Sequence, residues 1–337
     1  MKAGIVGYGL AGRYFHAPTL VSAGFDVAAI CTRSLERKAN AHQDFPGSIL
    51  VNSVEEIVDE DLDLIVIAST NEVHADHARL AINAGIATVV DKPMGRNYYE
   101  ALSLYDLADL NNVPLTVFFN RLWDSDSLTI KKALRDNAIG KVFRADSRFE
   151  RFRPHLNPQA WRENTSPDAG GGLLLDLQTH LVSTAIDWFG PADLVHASVR
   201  EIRGAADDDV LLVLKHGSGV DSYLSASAII GAPGPKLRLN GDQGSLVITD
   251  LDHQEDLLRK GFKASSGSWL PARDITTEAR IHKGEDSFSY PGEPGSYPMF
   301  YSKVREALEI GSELPVTRDF ALSVARIIDQ AREISIR

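Results

Sequence analysis

The stretch KAGIVGYGLAGRYFHAPTL, residues 2–20, constrains the fold more than any other part of the chain. A short apolar run, Ala3 to Val6, breaks at Gly7, Gly9 and Gly12 and then becomes helix-compatible. This is G-x-G-x-x-G with a strand before it and a helix after it. Gly7 permits a tight turn and Gly9 lets backbone approach a pyrophosphate. Gly12 lets the helix pack closely on the strand, so that the helix N-terminus faces the anion. Pro18 restarts or kinks that helix.

The pattern then alternates. FDVAAIC (25–31) reads as a strand, SLERKANAHQDF (34–45) as a helix and LDLIVIAS (62–69) as a strand buried on both faces. NEVHADHARLAINAG (71–85) reads as a helix, IATVVDKP (86–93) as a strand, NYYEALSLYDLADLNN (97–112) as a helix and PLTVFFN (114–120) as a strand. Strands alternating with helices of this length imply parallel βαβ units, so residues 1–119 are expected to form a doubly wound, Rossmann-type dinucleotide-binding domain.

An NAD site places a carboxylate at the end of the second strand. Here Thr32, Arg33 and Ser34 stand there, with Arg37 one helical turn on. A cation among hydroxyls suits a ribose 2′-phosphate, so NADP is expected ahead of NAD. At the end of the strand 86–91, Asp91, Lys92 and Pro93 lie where ligands of open α/β sheets bind, and Lys92 is placed to reach a nicotinamide edge.

After residue 120 the pattern changes. SLTIKKALRDNAIG (127–140) reads as a helix and KVFRADSRFERFR (141–153) as a strand. An apolar helix over 173–190 follows three glycines. Strands are then expected within 192–203, 208–217, 221–230, 236–241 and 244–250. Strands in succession imply a mostly antiparallel sheet, so residues 120–337 are expected to form an α+β domain. The amphipathic helix at about 319–336 is expected to pack back on the Rossmann domain. Asp176 and His180, four apart, stack on one helix face. By themselves they fit a metal site, acid–base chemistry or a hydrogen-bonded structural pair.

The 337 residues suffice for two cores at 44% hydrophobic content. A net charge of −11 argues against nucleic acid and anionic membranes, and no stretch is apolar enough to span a bilayer. The single cysteine, Cys31, excludes an internal disulfide and fits a cytoplasmic setting.

GYGLAG, STNEVHADHA (69–78), DKP (91–93), NRLWD (120–124), AWRE (160–163) and GGGLLLDLQTH (170–180) together resemble the glucose–fructose oxidoreductase, inositol dehydrogenase and rhizopine-catabolism (Gfo/Idh/MocA) family, over nearly the whole chain. GYGLAGRYFHAP, NRLWDSDSLTIKK, RFRP, HQEDLLRKG and GSYPMFY look most like its NADP-dependent scyllo-inositol dehydrogenase branch. Two departures stand out: Asp91 where the family usually has Glu, and Gln178 where it more often has Gly.

The resemblance implies an oxidoreductase with Lys92, Asp176 and His180 as its catalytic set, and a C-terminal domain at 120–337 whose large open sheet serves substrate binding and dimerisation. It also implies cofactor contacts from Gly7, Tyr8, Gly9, Leu10, Ala11, Gly12, Ser69, Thr70, Asn71, His74, Asp91, Lys92, Asn120, Trp161 and Arg162. Substrate contacts are expected from Lys92, Arg121, Trp123, Asp124, Arg153, Asp176 and His180, with Tyr297 closing the pocket. A metal site needs three or four ligands, and no further cluster stands near Asp176 and His180 in sequence, so acid–base chemistry is the expected role and no metal is expected. Lys92 would stabilise a developing alkoxide. The expected reaction is hydride exchange between NADP(H) and a cyclic polyol or sugar, in a homodimer or higher homo-oligomer. The alternatives are a non-catalytic, sugar-responsive NAD(P)-binding regulator and a dehydrogenase of a non-carbohydrate.

Overall fold

The computed structural model describes residues 1–204 and 206–335. The chain divides into two units. The first holds a six-stranded parallel sheet of β1 (Lys2–Val6), β2 (Asp26–Cys31), β3 (Ile49–Val51), β4 (Leu64–Ile67), β5 (Ala87–Asp91) and β6 (Leu115–Phe118), in the order β3-β2-β1-β4-β5-β6. All four residues of β4 are buried, which is why its sequence is continuously apolar rather than alternating. The order reverses between β1 and β4, so the carboxyl ends of those strands frame the crevice in which such sheets bind ligands. Gly12 is required there by packing. A Cβ on it would overlap the Gly7 carbonyl, and Gly7 itself has φ +96°.

The first unit is larger than the sequence suggests. Besides Met1–Asn120 it includes Gln254–Pro271 and Ser296–Leu322. The reason is long-range packing with no local signature. Tyr301 stacks on Phe118 and meets Phe25 and His16 edge-on. The Thr116 hydroxyl donates to the Val316 carbonyl at 2.8 Å. Gln254 Oε1 accepts from both Trp269 Nε1 and the Tyr297 amide. The C-terminal helix, Arg318–Ser335, opens in this unit, where Arg318 pairs with Asp106 and Asp109, and its residues from Ser323 belong to the second. Residue 336, expected in this helix, lies outside the described residues.

The second unit holds an eight-stranded sheet of β7 (Val142–Glu150), β8 (Ala192–Arg200), β9 (Asp209–His216), β10 (Asp221–Ser227), β11 (Leu237–Gly241), β12 (Gly244–Ile248), β13 (Ala279–Lys283) and β14 (Asp286–Tyr290). Its order is β14-β13-β12-β11-β7-β10-β9-β8, antiparallel throughout except for the β7–β10 pair. The hairpin β13–β14 escapes the sequence reading because its residues are mostly polar and exposed. One face packs on a core that includes Ile130, Phe189, Leu237, Leu239, Leu246 and Ile248. Among the described residues no helix is long and apolar enough to cross a membrane.

Candidate active site

In the first unit, the loop after β1 leads into a wide, π-type turn over Gly12–His16 and then the helix Ala17–Ser22. A Cβ built on Gly9 would lie 3.5–3.7 Å from the Arg37 guanidinium, so a cation stands beside the turn that has to admit a phosphate. Ser34 caps the helix Leu35–Asp44 by accepting from the Arg37 amide, and Arg33 donates from Nε to the Asn52 carbonyl at 3.2 Å. Both arginines are exposed, and no carboxylate occupies residues 32–34. These residues fit a dinucleotide that carries an extra phosphate.

Several residues expected at the cofactor are instead used inside the protein. Tyr8 is buried and its hydroxyl donates to Asp44, 3.1 Å away, so only its backbone faces the loop. Burial, reinforced by Asp44, pushes the Tyr8 phenol well above its usual range. Thr32 is buried, its amide donating to Val51. Asn71 and Asn120 are buried as well. His74 is 1% exposed, with Nδ1 2.8 Å from the Pro93 carbonyl and Nε2 3.0 Å from the Ser69 carbonyl. Burial holds its pKa below that of an ordinary histidine, against the pull of Asp91. Neutral, the ring carries one N–H and donates it to one of these two carbonyls, the shorter contact being to Pro93.

Lys92 follows β5 directly and is half-buried, and the peptide bond to Pro93 is cis. Its amide donates to Asp91 Oδ1 at 2.8 Å. Asp91 stays a carboxylate. Burial works to raise its pKa, but His16, His74 and Lys92 outweigh this and hold it below the usual range. The shorter Asp91, in place of the glutamate usual in the resemblance, is therefore fully engaged at the strand end.

In the second unit, Asp176 lies on a π-type turn, Leu174–Gln178, and His180 in the first turn of the helix Thr179–Phe189 that continues it. Such wide turns recur at functional sites. The simple α-helical spacing assumed from sequence does not hold across this junction. The turn is anchored by Asp207, whose carboxylate accepts from the Leu174 amide at 2.6 Å. Gln178, in place of the more usual glycine, donates from Nε2 to the carbonyls of Val210 and Leu224, tying the turn to β9 and β10. Asp176 lies 3.4 Å from Arg162 Nε. It borders a cavity of about 190 Å³ whose wall also includes Arg151, Arg153, Arg162 and Glu163. The side chain of Trp161 lies outside the described residues.

His180 is 6% exposed and meets the ring of Phe149 edge-on. Phe149 in turn carries two cations: Lys236 Nζ 3.9 Å and Arg121 Cζ 5.0 Å from its centroid. Arg121 pairs with Asp124 at 3.0 Å, and Lys236 lies 3.8 Å from Asp126. Asp124 is 2% exposed. Burial first, then the neighbouring Asp252 and Asp126, raise its pKa well above the usual range against the pull of Arg121. Of Arg121, Trp123 and Asp124, expected at a substrate, Trp123 and Asp124 are buried, while Arg121, which shares the Phe149 ring with His180, keeps 14% of its side chain exposed. Tyr297, expected to close a pocket, is fully buried in the first unit and presents no surface to a ligand. Lys236 and Phe149 carried no motif signal in sequence, and Asp126 was not singled out within NRLWDSDSLTIKK, because each is defined by its partners.

The sequence matches the oxidoreductase family with an NAD-binding Rossmann fold over residues 1–119, and the GFO/IDH/MocA C-terminal domain over residues 127–247. The chain belongs to the Gfo/Idh/MocA family. It is 32% identical to the NADP(+) scyllo-inositol 2-dehydrogenase of Bacillus subtilis, over 99% of this chain and 94% of that protein. It is 25% identical to the levoglucosan dehydrogenase of Pseudarthrobacter phenanthrenivorans, over 75% of this chain and 77% of that one. A solved oxidoreductase structure from Bacillus subtilis, 32% identical, superposes with a TM-score of 0.89 over 99% of this chain and 96% of that one. As a Gfo/Idh/MocA oxidoreductase, this chain carries an NAD(P)-binding Rossmann domain followed by the family's C-terminal sheet domain.

Proposed function

We propose that this oxidoreductase exchanges hydride between NADP(H) and a ring carbinol or ring ketone of a neutral cyclic polyol or sugar, of the inositol and inosose kind. The observation that carries the reading is the small cavity beside Asp176. Its 190 Å³ is the space of about six waters, and hydrogen-bonding side chains make up much of its wall. A ring with a hydroxyl on most carbons can add hydrogen bonds to those groups, whereas a hydrophobic ketone would displace their water and return no hydrogen bond. The named activities of the two dehydrogenase relatives support the same substrate class.

When bound, the nicotinamide supplies the hydride acceptor or donor. In this reading His180 takes up the hydroxyl proton on oxidation and returns it on reduction. Asp176, beside Arg162, grips a neighbouring hydroxyl, and the Lys92 ammonium stabilises the alkoxide. Arg33 and Arg37 favour the 2′-phosphate of NADP. Dimerisation is proposed through the outward face of the eight-stranded sheet, where Phe143 and Leu211 are each more than a third exposed.

The test measures absorbance at 340 nm in both directions, with a panel of inositols, aldoses, hydroxy acids and aromatic ketones. Activity confined to the last two classes overturns the carbohydrate reading. Arg33→Asp is expected to weaken NADP about tenfold or more relative to NAD, the value of one lost charge-assisted hydrogen bond. Equal affinity of the unmutated protein for both cofactors overturns the NADP assignment.

A further inference from the structure

Directly behind Lys92 the first unit contains a buried polar chain that the reaction itself does not require. His16 is 0% exposed, at the end of the π-type turn that follows the glycine loop. Its Nδ1 is 2.6 Å from the hydroxyl of Tyr301, a residue 285 positions away and also 0% exposed. Its Nε2 is 3.7 Å from Asp91 Oδ1, the oxygen that accepts the Lys92 amide. The ring is held from the side as well, with its centroid 4.4 Å from that of Phe118.

The hydrogens in this chain follow from chemistry. Burial, with the negative Asp91 nearby, pushes the Tyr301 phenol well above its usual range, so it remains a hydroxyl. Donating to His16 Nδ1, it leaves the ring proton on Nε2, aimed at Asp91. That polarity suits a carboxylate. On the far side of Lys92 a second buried histidine, His74, takes the Pro93 carbonyl at 2.8 Å. The residue after Lys92 is thus hydrogen-bonded by one buried imidazole, and the residue before it faces another at 3.7 Å, an electrostatic contact longer than a hydrogen bond.

We propose that His16, locked by Tyr301, is a positioning residue for Lys92. It acts through the Asp91 carboxylate, and it completes, opposite His74, a clamp on the strand end that aims the ammonium. This rests on Lys92 being catalytic. The groups facing Asp91 are His16, His74, Lys92 and Tyr301. Without His16, the burial of Asp91 is less opposed, so the carboxylate takes up a proton at higher pH and releases the Lys92 amide.

The experiment compares Tyr301→Phe, which keeps the aromatic stack, with His16→Leu and with His16→Gln, whose amide nitrogen replaces Nε2–H. For each, kcat, KM for NADP(H), the pH profile of kcat and the thermal melt are measured. Lys92 acylation by acetic anhydride, relative to the surface Lys38, is read by peptide mass spectrometry. Tyr301→Phe and His16→Leu are expected to lower kcat about fivefold, the scale of one ordinary hydrogen bond lost from the chain. KM for NADP(H) should change less than threefold and the acid limb of kcat should move upward. Lys92 acylation should rise at least threefold, and His16→Gln should restore most of each effect.

Unchanged kcat, acid limb and acylation in folded variants overturn the proposal. So does a loss shared by kcat and KM that follows the melt and that His16→Gln does not restore. A fall in kcat without any change in Lys92 acylation also overturns it, because His16 would then act elsewhere. A rise in acylation with kcat intact upholds the positioning of Lys92 and removes its catalytic role instead.

Discussion

Replacing Gly172 with alanine tests how the second unit builds its reactive turn. Gly172 has φ +87°, in the left-handed region, where a side chain costs about 1–2 kcal/mol. A Cβ there would also overlap the Asp207 carboxylate, lying 2.5 Å from its Cγ. That carboxylate anchors the Leu174 amide at the start of the π-type turn, a cap-like bond worth about 1 kcal/mol. If Asp207 yields, both contributions are lost, and Gly172→Ala should cost about 2–4 kcal/mol.

Gly311→Ala is the control. Its φ of +74° and ψ of 25° lie in the left-handed region, yet nothing lies within 4 Å of the added methyl, so only the conformational cost should register. Urea unfolding followed by far-UV circular dichroism measures both variants. The Gly172→Ala protein should also lose most of its turnover, because Asp176 lies four residues on and its amide bonds back to the Gly172 carbonyl at 3.2 Å. Asp207→Ser should remove much of the steric excess in the double mutant. Equal losses for Gly172→Ala and Gly311→Ala, or strict additivity with Asp207→Ser, would refute the reasoning.

Lys92→Met is expected to retain the fold and much of the NADP affinity while turnover drops by orders of magnitude, since the loss is electrostatic at the transition state. Isothermal titration and steady-state kinetics check this, and near wild-type turnover would refute it. Asp207 has its pKa raised from 3.8 to about 6 by burial, so the folded state holds that proton more tightly than the unfolded chain does. Stability from this group is full below about pH 4 and declines up to pH 6, leaving a cost of about 3 kcal/mol above that. Asp207→Asn, still able to accept from Leu174, should therefore be more stable than wild type at pH 8 and lose its advantage towards pH 4. Parallel stability curves for the two proteins across that range would refute the assignment.

Local chemistry determined a large part of this protein. The glycine spacing at 7, 9 and 12, the buried apolar run that becomes β4, and the succession of strands after residue 190 each depend on neighbours within a few residues. They were enough to specify a parallel nucleotide-binding sheet followed by a mostly antiparallel one. The absence of a carboxylate after β2, and the placing of Lys92 just beyond the end of β5, were legible for the same reason.

Tertiary structure decided which polar residues are spent internally. Tyr8, His74, Asp91, Asp124 and Tyr297 look in sequence like groups available to a ligand. In the fold Tyr8 serves Asp44, His74 a backbone carbonyl, Asp91 the Lys92 amide, and Asp124 pairs with Arg121, while Tyr297 is buried. The segments 254–271 and 296–322 join the first unit through contacts such as Tyr301 with His16 and Thr116 with Val316. The physical reason is range. Periodicity and turn chemistry are written within one helical turn or one strand. Whether a buried hydroxyl, imidazole or carboxylate is satisfied depends on a partner that can be 200 or 285 residues away.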